Sequence, residues 1–145
     1  MDQNEQFMAK LGGVRDEAGT LRYLERNLAH WAQYGFGLWI LRDRPSGAVI
    51  GRAVLRHLEV EGLDEVEVGY GLMPEYWGRG LATEVTCACV QIAQGRLGLR
   101  SVVAITLPSN AASQRVMQKS GLVYEREITH DGVLHVLFRT RPFYA

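Results

Sequence analysis

The chain has 145 residues, 47% hydrophobic and 22% charged. These are ordinary values for one globular domain and far from those of disordered or fibrous chains. Sixteen Lys and Arg balance sixteen Asp and Glu, so no excess of cations exists to displace counterions from a nucleic acid or to grip an anionic membrane.

After a polar start, Thr20 is a candidate cap for a helix whose Leu21, Leu24, Leu28 and Trp31 recur at three- and four-residue spacings. Tyr34-Gly35-Phe36-Gly37 ends it. Leu38 to Arg42 and Ala48 to Leu55 read as a hairpin around Pro45-Ser46-Gly47. Beyond the turn Glu61-Gly62-Leu63-Asp64, the strand Glu65 to Met73 puts Glu65, Glu67, Gly69 and Gly71 on one face and Val66, Val68, Tyr70 and Leu72 on the other. Pro74 stops it.

A helix is predicted from Leu81 to about Leu97, with Leu81, Val85, Ala88, Ile92 and Ala93 on one side and Gly98 as its stop. Ser101 to Leu107 reads as a strand and Asn110 to Lys119 as a helix closed by Gly121. Leu122 to Ile128 and Val133 to Arg139 form a last hairpin around His130-Asp131-Gly132. This order predicts an α/β fold with a mixed sheet in a single domain over residues 1–145.

Cys87 and Cys89, two apart in a helical run, face different sides and cannot bridge each other. They make a poor zinc site, and no metal is expected. No apolar run approaches the roughly 20 residues of a membrane span. The start Met1-Asp2-Gln3-Asn4-Glu5 is not a signal peptide, so a cytoplasmic location is expected.

The chemistry concentrates in Pro74-Glu75-Tyr76-Trp77-Gly78-Arg79-Gly80-Leu81-Ala82-Thr83-Glu84. A strand stops, a glycine turn follows and a helix begins at once. The unpaired N–H groups and partial positive charge of a helix start suit a phosphate. No Gly-Lys-Ser/Thr follows, so it is not a P-loop, and the third glycine of a dinucleotide fingerprint is missing.

The strand Glu67-Val68-Gly69-Tyr70-Gly71-Leu72-Met73-Pro74, this turn, and the helix Asn110-Ala111-Ala112-Ser113 ending in Ser120-Gly121-Leu122 together resemble the GNAT acetyltransferases, most nearly the RimJ/RimL-like branch, over about residues 8 to 142. The resemblance implies a mostly antiparallel twisted sheet flanked by helices and acetyl-CoA as cosubstrate. It implies that the backbone of Gly78, Arg79, Gly80, Leu81, Ala82 and Thr83 holds the pyrophosphate. Leu72 and Met73 would line the pantetheine arm through main-chain hydrogen bonds, Asn110 would reach the pantetheine amide, and Ser113 would sit near the sulfur. Asn110 also reads as a plain helix N-cap, and both roles can coexist.

Met117 stands where many members of the family place the tyrosine that protonates the departing thiolate, which leaves that job to Ser113, a water or nothing. Trp77 stands where the wider family usually has Gln or Arg, although the RimJ/RimL branch often carries Trp there. The chain also opens about where the family's first helix should be ending, as a shortened or trimmed variant. The sheet edge this exposes would be covered by the N-terminal tail or a partner chain, and a homodimer is one partner it allows.

An amine must be deprotonated before it attacks a thioester. Glu67 is the first candidate base and Glu65 the substitute, with His57, His130 and His135 behind them. A backbone N–H near Leu72 or Met73 would hold the oxyanion. The acceptor is an amine-bearing small molecule or a protein N-terminus. The competing readings are a CoA-binding module without catalysis and a nucleotide-binding regulatory domain.

Overall fold

The computed structural model describes residues 1–9, 11 and 13–142. Six strands form one sheet in the order β1-β2-β3-β4-β6-β5. They are β1 (Leu38–Arg42), β2 (Val49–Val60), β3 (Leu63–Leu72), β4 (Val103–Thr106), β5 (Leu122–His130) and β6 (Val133–Thr140). Every neighbouring pair is antiparallel except β3 and β4. The mixed sheet is the one the element order predicts, and its mostly antiparallel pairing is the one the resemblance implies.

Turn chemistry sets the registers. Glu61 and Gly62, both at positive φ, make the tight connection between β2 and β3, and Asp131 and Gly132 do the same between β5 and β6. The first of these turns places Arg56 opposite Glu67 and Arg52 opposite Gly71. Both strands of that hairpin run longer than predicted, because their backbones continue pairing to the turn itself.

Helix α3 (Leu81–Gln91) and α4 (Ala111–Lys119) lie together on one face of the sheet. There Cys89, Ala93 and Met117 close over Ala53, Leu55, Val66, Val68, Val102, Ala104, Val136 and Phe138. The predicted inner face of α3 is corrected at one position: Ala88 is exposed, and Thr86 and Cys89 are the residues turned inward. Burial pushes the Cys89 thiol up to about 11. From Ile92 to Arg96 the helix widens into a π turn, so the regular α-helix ends short of Leu97.

Helix α2 (Glu17–Tyr34) is capped by Asp16, whose carboxylate accepts the Gly19 N–H at 2.7 Å, rather than by Thr20. Its leucine stripe does not face the sheet: Leu21, Leu24 and Leu28 are 53%, 49% and 60% exposed. Contacts inward come instead from Tyr23, His30, Trp31 and Tyr34. Trp31 donates its indole N–H to Leu38 C=O, and His30 holds Phe36 C=O and the His57 N–H.

The N-terminal segment is ordered into the structure. Asn4 caps a short helix α1 (Glu5–Met8) that buries Phe7 and Met8. Asp2 is buried and bonded to Arg52, Arg15 and Thr20. Arg52 in turn lies over the rings of Phe7 and Tyr23. This segment packs on the face of β2 and β3, and β1 has no strand partner but β2 among the described residues.

Candidate active site

Strands β3 and β4 share a single bridge, Glu67 with Val103, and part beyond it. Met73 sends its N–H to Ile50 C=O at 2.7 Å and receives the Tyr76 N–H on its own carbonyl at 2.9 Å. Since an antiparallel ladder alternates the edge to which successive residues turn, Leu72 and Tyr70 direct their main-chain groups away from β2, into the gap. The Met73 N–H is therefore taken by β2, while its carbonyl, like that of Leu72, keeps a second lone pair. Leu72 C=O already has one partner from that side, the Trp77 indole N–H at 2.7 Å.

The gap opens onto the start of α3. Pro74–Tyr76 make one 3₁₀ turn after β3. Gly78 and Gly80 then adopt φ of 73° and 77°, a left-handed conformation costly to any residue with a Cβ. Gly80 is the N-cap and provides no side-chain bond to the helix, so the N–H groups of Leu81, Ala82 and Thr83 are not capped from within. Around Gly78 and Gly80 there is open space within 4 Å of where a Cβ would be. Arg79 is exposed, its guanidinium 5.1 Å from the Tyr76 ring centroid. A pyrophosphate fits this arrangement: several convergent donors, an aligned helix dipole and no side chain across the approach.

On the far side of the gap, Asn110 caps α4, accepting the Ser113 N–H at 3.2 Å. The capping reading of Asn110 thus holds. Ser113 is half-buried and its side chain meets the Tyr70 hydroxyl across from β3. Burial raises the Tyr70 phenol, with Ser113 pulling weakly the other way. Met117, one turn further along α4, is buried in the core.

On the opposite face of β3, Glu67 is 7% exposed. One of its oxygens accepts from Arg56 Nε and a terminal guanidinium nitrogen at 3.3 and 3.2 Å. The Arg56 guanidinium is held above its ordinary range chiefly by Glu67, against the opposing effect of its own burial. Glu65 is not a free substitute, because it is chelated by Arg139. His57 is engaged by Asp64 at 3.0 Å, and His130 and His135 stack edge to face on the last hairpin. No cluster of three or more His, Cys, Asp or Glu among the described residues is arranged to hold a metal ion.

Two features escaped the sequence reading. The Arg56–Glu67 pair was legible in principle, since a two-residue turn at Glu61-Gly62 sets them opposite each other. The meeting of Tyr70 with Ser113 carried no sequence signal, because a strand and a helix some forty positions apart are brought together only by packing.

The sequence model of the acetyltransferase (GNAT) domain matches residues 1–123, and the chain belongs to that family. Relatives agree. YkkB of Bacillus subtilis is 29% identical over 121 residues, which cover 83% of this chain and 70% of that protein. The FsC-acetyl coenzyme A-N(2)-transacetylase of Aspergillus fumigatus is 32% identical over 96 residues, covering 62% of this chain and 40% of that longer protein. Among solved structures, a GNAT-family acetyltransferase from Bordetella pertussis superposes with a TM-score of 0.82 at 25% identity, over 94% of this chain and 84% of that one.

Proposed function

We propose that this protein transfers the acetyl group of acetyl-CoA to the nitrogen of a primary amine, by direct attack within a ternary complex. The observation that carries the reading is the parting of β3 and β4 after one bridge, immediately beside an uncapped helix start with two left-handed glycines. Acetyl-CoA, when bound, supplies an acyl carbon already activated toward amines.

The chain's own groups divide the remaining work. The backbone from Gly78 through Arg79, Gly80, Leu81 and Ala82 to Thr83 holds the pyrophosphate. The main-chain groups of Leu72 and Tyr70 that face the gap guide the pantetheine arm and supply the N–H that steadies a developing oxyanion. Asn110 and Ser113 close the gap from α4. Glu67 accepts the amine's proton, directly or through a water, from the face opposite the glycine turn. Arg56 orients that carboxylate while leaving its second oxygen for the proton.

The acceptor is an amine-bearing small molecule or a protein N-terminus, as in the RimJ/RimL-like branch. The name of the Aspergillus relative, an acetyl-CoA N-transacetylase, supports the donor and the atom acylated. The free thiols Cys87 and Cys89 suit the reducing cytoplasm. The open edge of β1 is where a second copy would extend the sheet.

The test is thermal melting with acetyl-CoA, CoA, ATP and NAD at matched concentrations. A ligand at 100 times its dissociation constant stabilises the native state by about 2.7 kcal/mol. A rise confined to the CoA compounds is expected, and a rise with ATP or NAD alone would overturn the reading in favour of a nucleotide-binding domain.

A second reading, a CoA-binding module without catalysis, is favoured by one observation: the carboxylate best placed as base is already engaged by Arg56. Acetyl-CoA binding with no CoA released for any of spermidine, kanamycin or an alanine-initiated peptide would support it.

A further inference from the structure

We propose that the acceptor amine begins an acidic peptide, whose carboxylates are held by Arg22 and Arg26 of α2. The inference names the acceptor of the acetyl-transfer reading and rests on it.

Gly19, Arg22, Arg26 and Ala29 recur at three- and four-residue spacings, so they form one stripe of α2, turned away from the exposed leucines. With Arg15 and Glu25 they line an open groove of about 520 Å³. Arg15 is paired with Asp2 at 3.1 Å. Asp16, at the helix start, gives its carboxylate to the Gly19 N–H at 2.7 Å. Arg22 and Arg26 have no ion-pair partner among the described residues, and Glu25 is the one carboxylate in the groove lining. In a chain with no net charge, this is a local excess of cations.

The groove lies beside the approach to Glu67. Arg15, Arg52 and Arg26 surround the Tyr23 ring, at 4.1, 4.7 and 5.9 Å from its centroid. Arg52 and Arg56 share one face of β2, and opposite them Glu67, Gly69 and Gly71 share the same face of β3. Gly71 is covered by Phe7 and Leu11, whose atoms lie 2.8 and 2.9 Å from where a Cβ would stand. At Gly69, among the described residues, only Val54 and Glu67 come within 4 Å of that point. The strand is therefore bare between Glu67 and Phe7.

One layer of packing, on the order of 10 Å, separates a helix from the sheet beneath it. An extended peptide covers that distance in about three residues. With its amine at Glu67, its third and fourth side chains reach α2. A guanidinium matches a carboxylate with two parallel N–H bonds. A polyamine or an aminoglycoside, cationic throughout, meets repulsion at the same place.

The experiment follows CoA release from acetyl-CoA with three hexapeptides, Ala-Ser-X-X-Ala-Phe, in which X is Glu, Gln or Lys. Spermidine, kanamycin and phosphoethanolamine are assayed beside them. Two exposed arginine–carboxylate contacts, each giving a few-fold, should raise kcat/KM for the Glu peptide about tenfold over the Gln peptide. The difference should reside in KM, and the Lys peptide should fall below both. In the double variant Arg22→Gln/Arg26→Gln the advantage of the Glu peptide should vanish while the melting shift given by acetyl-CoA persists. Equal or faster transfer to the Lys peptide, spermidine or kanamycin overturns the acidic acceptor, as does a Glu preference that survives the double variant. Faster transfer to phosphoethanolamine, whose phosphate lies too near its amine to span the distance, overturns the peptide assignment. Binding of acetyl-CoA without transfer to any of these amines overturns the inference and leaves the donor site standing. Failure to bind acetyl-CoA overturns the acetyl-transfer reading itself.

Discussion

At the scale of single residues, the two faces of β3 carry different groups. Glu67 and Tyr70 are three apart on a strand of period two, so they point to opposite faces. Glu67→Gln should lower turnover about 100-fold at neutral pH while leaving acetyl-CoA affinity intact. Arg56, with 40% of its side chain exposed, can turn to water, so little stability should be lost. Unchanged turnover between pH 6 and 9 would remove Glu67 as base. At Gly80, φ of 77° makes a side chain cost about 1–2 kcal/mol. Gly80→Leu should melt a few degrees lower and lose any response to acetyl-CoA; retained affinity would sink the pyrophosphate assignment.

Asp2 shows how a charge ties down a chain terminus. Burial would raise its carboxyl, but the guanidinium groups of Arg52 and Arg15 outweigh that and hold it below the usual range. A value depressed on folding adds stability above the ordinary carboxylate value near 4, and that stability is lost as pH falls through the lower folded value. Asp2→Asn should therefore cost about 1–3 kcal/mol at pH 7 and progressively less in acid, as melting of both proteins from pH 7 down to pH 2 would show.

At the scale of elements, helix α2 separates amphipathic pattern from actual burial. The spacing of Leu21, Leu24 and Leu28 rightly announces a helix. Which stripe meets the sheet is decided by shape and hydrogen bonding: Trp31 and His30 reach main-chain groups of Leu38, Phe36 and His57 that the leucines could not satisfy. Leu24→Ala should change stability by no more than about 0.5 kcal/mol. Leu55→Ala, at a fully buried core position, should cost about 2–5 kcal/mol. Equal losses in denaturant unfolding would contradict the packing described. Between β2 and β3 the tolerance is smaller still, for a Cβ at Gly51 would lie 2.2 Å from Gly71 C=O. Gly51→Ala should accordingly prevent normal pairing of these strands, visible as loss of the cooperative unfolding transition.

At the scale of the whole molecule, six strands form one continuous sheet. Its one parallel junction is also its one weak seam, and the candidate site lies in that seam. The existence and order of the strands, the last hairpin, the helix starting at Leu81 and the Asn110 cap were all legible from the sequence, because each depends on local signals: period, turn residues, caps and breakers. The glycine turn was legible for the same reason. The docking of Asp2, Phe7 and Met8, the bonding of Met73 to Ile50 and Tyr76, and the outward turn of the α2 leucines were not. Each of these pairs residues through space with no signature in the order of neighbours. The sequence by itself determined the elements, the family resemblance and the phosphate-suited turn, since those reside in contiguous stretches. Only the tertiary structure decided which main-chain groups face the gap, that Glu67 is shared with Arg56, and that Tyr70 meets Ser113. Those facts arise from the registers and packing angles of segments that are distant along the chain.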